Sequence, residues 1–220
     1  MEASPDPPPR ARRGRPPRLD RDQIVAAATK LTAEVGLTDF SLQTLAERLD
    51  CTAMSLYHHV ENRATLERLV VEHVSASDPL PPLPTPGGER EWLVAVAHQI
   101  RARLLAHPGV AEHLLAHGPT GASMTTVDRV ATVLLAAGVG IERTARSYSL
   151  LMTATTALAL QQAAVERHHR RGIAPFAESH ASMHTSTDLV RRLAPDFTPD
   201  RDVVFDESIS LVLDGILAPG

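Results

Sequence analysis

Between Leu42 and Arg63 the chain sets out a close series of side chains that hydrogen-bond, stack or carry charge: Gln43, Thr52, Ser55, Tyr57, His58, His59 and Arg63, with Ala53 and Met54 among them. Their chemistry is recognition. Gln reads adenine through N6 and N7, methyl and thioether groups touch the thymine methyl, and Tyr, His and Arg are ordinary partners of phosphate oxygens. A second chemistry is suggested by the histidines, of which there are eleven. His113 and His117, and likewise His180 and His184, are spaced i, i+4, so each pair shares a helix face and could chelate a transition metal. No acid or cysteine completes either set at a recognisable spacing. Ordinary surface or pocket histidines are the better reading, and no metal is expected.

The recognition residues need a scaffold, and the apolar spacing supplies one. Leu42, Leu45, Ala46 and Leu49 fall at i, i+3, i+4 and i+7, one face of a helix, with Ser41 as its N-cap. The run breaks at Asp50-Cys51. Thr52 then caps a second short helix that buries Leu56 and Val60 and leaves Met54 and His58 on the opposite face, with Ser55 and Tyr57 on the flanks. Two helices meeting at a tight corner, the second with a polar and aromatic free face, is the geometry of a helix-turn-helix entering the major groove of DNA. A preceding helix starts at Asp20 and runs to Gly36 on Ile24, Ala28, Leu31 and Val35, and a following one carries Leu66, Leu69, Val70 and Val74.

Composition sets outer bounds. With 220 residues, 43% hydrophobic and 22% charged, the chain belongs with globular proteins that bury a sizeable core. A net charge of −4 excludes a protein that coats nucleic acid indiscriminately but leaves room for a local basic patch. Cys51 stands alone, which points to a small buried residue in a reducing cytosol, and a cytoplasmic location is expected. The opening is Pro- and Arg-rich with no apolar signal region, and Ser147 to Val165, although uncharged, holds too many threonines and glutamines to insert in a membrane.

Residues 1–18 read as a disordered basic arm, with five arginines between Arg10 and Arg18 placed to reach phosphates or a minor groove. The helix-turn-helix unit is expected over 19–75. Over 76–88, five prolines forbid a helix, so a stiff linker or crossover follows. An all-α unit is expected over 89–218, with helices near 89–106, 108–117, 123–137, 142–170, 185–193 and 200–217. Apolar stripes of Phe205, Ile209, Val212 and Ile216, and of Ile141, Ala145, Tyr148, Met152, Thr155 and Ala159, suit a helix–helix seam between two copies, with an intramolecular core as the competing reading. Helix faces suggest a pocket lined by Trp92, Leu104, His113, His117, Met124, Met152 and Thr156.

The order of these features resembles the tetracycline-repressor family of transcriptional regulators. The likeness is sharpest over LDRDQIVAAATKLTAEVGLTDFSLQTLAERLDCTAMSLYHHVENRATLERLV, especially the LYHHV string followed by Arg63. The closing PDFTPDRDVVFDESISLVLDGILA resembles the family's last helix. The resemblance implies that Gln43, Ala53, Met54, Ser55 and His58 face bases, with Thr52 beside them, and that Tyr57, His59 and Arg63 hold phosphates. It also implies a homodimer on a double-stranded operator, joined by its last two long helices and released by a small-molecule effector. Two departures stand out. Asp50 occupies the corner where the family usually has glycine, and Ala53 and Met54 leave direct readout thin, so specificity leans on Gln43, His58 and DNA shape. Proline and leucine fall where the ligand histidines of the tetracycline branch would stand, so the chain is not read as a tetracycline sensor. Two alternatives stay open: a metal-dependent helical enzyme, or a protein-partner adaptor, fused to the same DNA-binding unit. Against an enzyme, the chain has no HExxH, no glycine-rich phosphate loop and no nucleophile–base set, and no cofactor is expected.

Overall fold

The computed structural model describes residues 19–119, 121–170 and 200–218, and all of their regular structure is helical. The basic arm, the helix expected over 185–193 and the His180/His184 pair lie outside the described residues. Helix α1 spans Arg21–Val35, α2 Leu42–Arg48, α3 Ala53–Tyr57, α4 Arg63–Ala76, α5 Glu89–Ala106, α6 Val110–His117, α7 Met124–Ala136, α8 Ile141–Arg170 and α9 Arg201–Leu217. The starts are written locally. Asp20 forms a capping box with Gln23, and Ser41, Thr52 and Asn62 each accept the backbone N–H three residues on, satisfying donors that a helix leaves unpaired.

Helices α1–α4 close around Ile24, Leu31, Phe40, Leu45, Leu56, Leu66 and Val70. This core continues without a break into Leu104, Val110, Ala111 and Ala159, so the head sits directly on α5, α6 and α8. A second core joins α5, α7, α8 and α9 through Trp92, Val96, Val133, Leu134, Leu151, Phe205, Ile209 and Leu213. Val35, expected on the apolar face of α1, is the last residue of that helix and is exposed.

Residues 78–82 are a strap pinned to the body. Prolines 79, 81 and 82 have no N–H, so the strap's main chain is chiefly an acceptor. Every carbonyl from Asp78 to Pro82 accepts a side-chain bond: Asp78 from Arg103 Nη2 at 2.7 Å, Pro79 from Gln99 at 3.1 Å, Leu80 from Arg129 at 3.0 Å, Pro81 from Arg129 and Trp92, and Pro82 from Trp92 Nε1 at 2.8 Å.

The expected seam stripes are corrected by this packing. Phe205, Ile209 and Ile216 are buried inside the single chain and Val212 is half-buried, because α9 turns that face onto α5 and α8. On α8, Thr155 and Ala159 are likewise buried, while Ile141 is exposed. The internal core claims the stronger stripes, and the large apolar side chains left exposed on α8 and α9 are Ile141, Leu150, Val203 and Leu211. Ile209→Ala should therefore destabilise the monomer fold by about 2–5 kcal/mol through cavity formation. Denaturant melts check this, and a loss of association with an unchanged melting midpoint would return Ile209 to the seam.

Candidate functional site

The corner between α2 and α3 is built by Leu49, Asp50 and Cys51. Asp50 adopts φ +50°, a left-handed conformation that Asp tolerates better than most residues. Cys51 N–H donates to the Ala46 carbonyl at 3.0 Å and closes the turn. Cys51 itself is half-buried against the head core. Arg48 forks onto Glu34 at 2.7 and 2.6 Å, bracing α2 against α1. That hydrogen-bonded guanidinium holds the Glu34 carboxyl below its ordinary range.

Helix α3 buries one anchor, Leu56, and turns its other face out. Met54 and Tyr57 are exposed, as are His58, which is the C-cap, and His59 just beyond it. Thr52 is exposed, and its hydroxyl shares a 2.9 Å bond with that of half-buried Ser55. Gln43 stands on the exposed side of α2, where its amide donates to Glu47 at 3.1 Å. Ala53 and Arg63 are engaged within the protein as well. Ala53 packs partly against the head core. Arg63 donates to Glu67 Oε1 at 2.7 Å and to the Thr38 carbonyl at 2.5 Å, lying over the Phe40 ring. Whatever else it contacts, Arg63 ties the start of α4 to the α1–α2 loop.

A cavity of about 270 Å³ lies between α4, α5, α6, α7 and α8. Leu104, Met152 and Thr156 of the expected list line it; Trp92, His113, His117 and Met124 do not. Trp92 is 5% exposed in the second core, with its indole N–H spent on the strap. His113 and His117 stack on each other, ring centroids 4.4 Å apart, and Met124 is exposed. Among the described residues no three His, Cys, Asp or Glu side chains converge as a metal site. The periodicity missed Ile100, Arg103, Val110, Leu114 and Tyr148, all of which line the cavity. One signal was available: Arg103 follows Trp92 and Val96 at i+11 and i+7, a charge on an otherwise apolar face.

The cavity wall reaches the head at two places. Val74 and Ser75, in the last turn of α4, belong to the wall, and Arg103 holds the Ser75 carbonyl at 3.0 Å. At the start of α6, Leu37 N–H of the head donates to the Pro108 carbonyl at 2.7 Å. Gly109 lies beside that bond at φ +94°, and a Cβ there would come within 2.8 Å of Leu37 Cβ.

The family model described as "Tetracyclin repressor-like, C-terminal domain" matches residues 81–219. The chain belongs to the tetracycline-repressor-like family. Its fold is similar to that of ActR, a TetR family protein of Streptomyces coelicolor solved in complex with actinorhodin, at 31% identity and a TM-score of 0.78, over 92% of this chain and 98% of that one. An HTH-type transcriptional regulator of Saccharopolyspora erythraea is 35% identical over 95 residues, 43% of this chain and 40% of that protein's length. The class A tetracycline repressor from transposon 1721 in Escherichia coli is 23% identical over 90% of this chain and 91% of its own. The likeness to ActR and to the class A repressor runs through both the head and the cavity-bearing unit. No helix among the described residues is long and apolar enough to cross a membrane.

The joint at Gly109 gives a direct check on how the head docks. Gly109→Ala forces alanine into a left-handed conformation and against Leu37, at a cost of about 1–3 kcal/mol. Thermal melts should register the loss, and an unchanged midpoint would mean that the Leu37–Pro108 contact is not what seats the head.

Proposed function

We propose that this chain is a ligand-responsive transcriptional repressor that binds a palindromic operator as a homodimer and leaves it when a small molecule fills the cavity. The observation that carries the reading is the shared wall. Val74 and Ser75, which line the cavity, belong to the helix whose other residues, Leu66 and Val70, close the core under α3. An effector that needs more room changes the position of α4, and with it the angle of the reading helix. A two-fold pair of reading heads matches both half-sites at one separation only, so a modest tilt lowers affinity for the whole operator. ActR, solved with a small molecule bound, supports the same use of the cavity here.

In this reading 19–75 is the DNA-binding unit, 76–88 its pinned connection, and 89–218 the effector and dimerisation unit. Gln43, Thr52, Met54, Ser55 and His58 face bases, with Ala53 supporting them from the core side, and Tyr57, His59 and Arg63 face phosphates. The dimer seam is the outer face of α8 and α9. Leu211 is 72% exposed where its neighbour Ile209 is 1%. It lies one turn before Gly215, which shares a groove with Leu150. Exposed leucines flanked by small residues suit close helix–helix contact between copies.

Two variants test this in gel shifts against the gene's own upstream DNA. Tyr57→Ala with His58→Ala removes one candidate phosphate contact and one candidate base contact, each worth about 1–3 kcal/mol. Because both residues are exposed, the melting midpoint should hold. Unchanged affinity would dismiss α3 as the reading helix. Leu211→Asp should leave the fold intact, run as a monomer in sedimentation and lose the operator. A dimer that survives the substitution would place the seam elsewhere.

A further inference from the structure

Arg103 is the one charged residue in the cavity wall among the described residues. It is 9% exposed, and the groups that accept its hydrogen bonds, the carbonyls of Ser75 and Asp78, are neutral. Its Nε is covered by protein atoms and has no hydrogen-bond partner among the described residues. Burial pushes the guanidinium's pKa down, and the Asp78 carboxylate, on an exposed residue, offsets only part of this. His107, one turn on, supplies no counter-charge: burial, then Arg103 and His73, lower its own pKa, with only Asp78 opposing them. Arginine does not shed its proton in proteins, so the wall carries a desolvated positive charge with too little negative charge to meet it. A cation without a counter-ion in a low-dielectric site is costly, and an anion brought to it gains strong, charge-assisted bonds. Each Nη nitrogen has a second N–H beyond its carbonyl bond.

We propose that the effector of this cavity is an organic anion: an apolar frame against Leu104, Leu114 and Met152, bearing one carboxylate or similarly charged group seated at Arg103. The inference rests on the reading of the cavity as the effector site, and it adds the ligand's charge. A cationic ligand meets repulsion, and a neutral one leaves the guanidinium uncompensated. Tyr148, a phenol whose pKa burial pushes further up, and Thr156 offer hydroxyls for orientation without competing for the charge.

The test uses the full chain and a displaceable fluorescent reporter, N-phenyl-1-naphthylamine, with two competitors of one shape: naphthalene-2-carboxylate and naphthalene-2-carboxamide. On the wild-type chain the carboxylate should displace the dye at roughly tenfold lower concentration than the amide, the scale of a hydrogen bond to a charged group. Arg103→Gln should bring the two competitors to within about threefold of each other, while Arg103→Lys keeps the carboxylate ahead. Equal displacement on the wild type overturns the proposal, and that comparison decides even if the Gln variant does not fold. A folded Arg103→Gln variant that still prefers the carboxylate also overturns it. Failure of the underlying reading looks different. A chain that binds no dye, or one in which Thr153→Trp at the cavity wall leaves dye binding intact, shows that the cavity is not a ligand site, and the proposal falls with it.

Discussion

Proline removes backbone donors, and the consequences of that fact organise this molecule. The strap after α4 offers carbonyls and few N–H groups, so it cannot finish a helix or join a ladder. Its acceptors are met by Arg103, Gln99, Arg129 and Trp92, which project from α5 and α7. Arg129 also lies over the Trp92 ring, so the donors that hold the strap hold each other. The result is a connection with fixed geometry. A free linker of the same length would let the head move independently of the cavity; a pinned strap makes the end of α4 a shared part of both.

The same logic explains why α9 is packed as it is. Arg101, 6% exposed, donates to Gln162 and Asp202 and lies 4.5 Å over the Phe205 ring. Arg90 reaches Asp214 and Ser210 farther along the same helix. One side of α9 is thereby committed to α5 and α8, with Phe205, Ile209 and Leu213 beneath it. The opposite side is more polar, with Leu211 as its largest exposed apolar residue. Division of one helix between an internal core and an outer face is what separates residues only two positions apart.

Arg103 joins these themes. It is at once a donor to the Ser75 carbonyl in the last turn of α4 and the charged group in the cavity wall. A residue with one purpose could be replaced by a better-packed apolar side chain. Its place ties the head's last helix to the cavity wall through one side chain.

Much of the architecture was legible in the residues. The caps at Asp20, Ser41, Thr52 and Asn62, the break at Asp50-Cys51 and the Gly and Pro joints are local chemistry, decided within a few residues, and the helices start and stop where those signals stand. The exposed face of α3 was equally legible, because a five-residue helix with one apolar anchor has only one way to face. The lining of the cavity and the burial of the apolar stripes were not. Periodicity tells that Trp92, Ile209 and Leu211 lie on given faces of their helices, but not which neighbour meets each face. That is decided when α5, α7, α8 and α9 pack together. Trp92 went to the strap because its indole N–H found two proline carbonyls there. Ile209 went to the core because α9 leans on α5 and α8. The sequence by itself determined the helices and their caps; only the tertiary structure decided which apolar stripe is inside, which is left exposed, and which charge faces the cavity, since each depends on contacts between residues far apart in the chain.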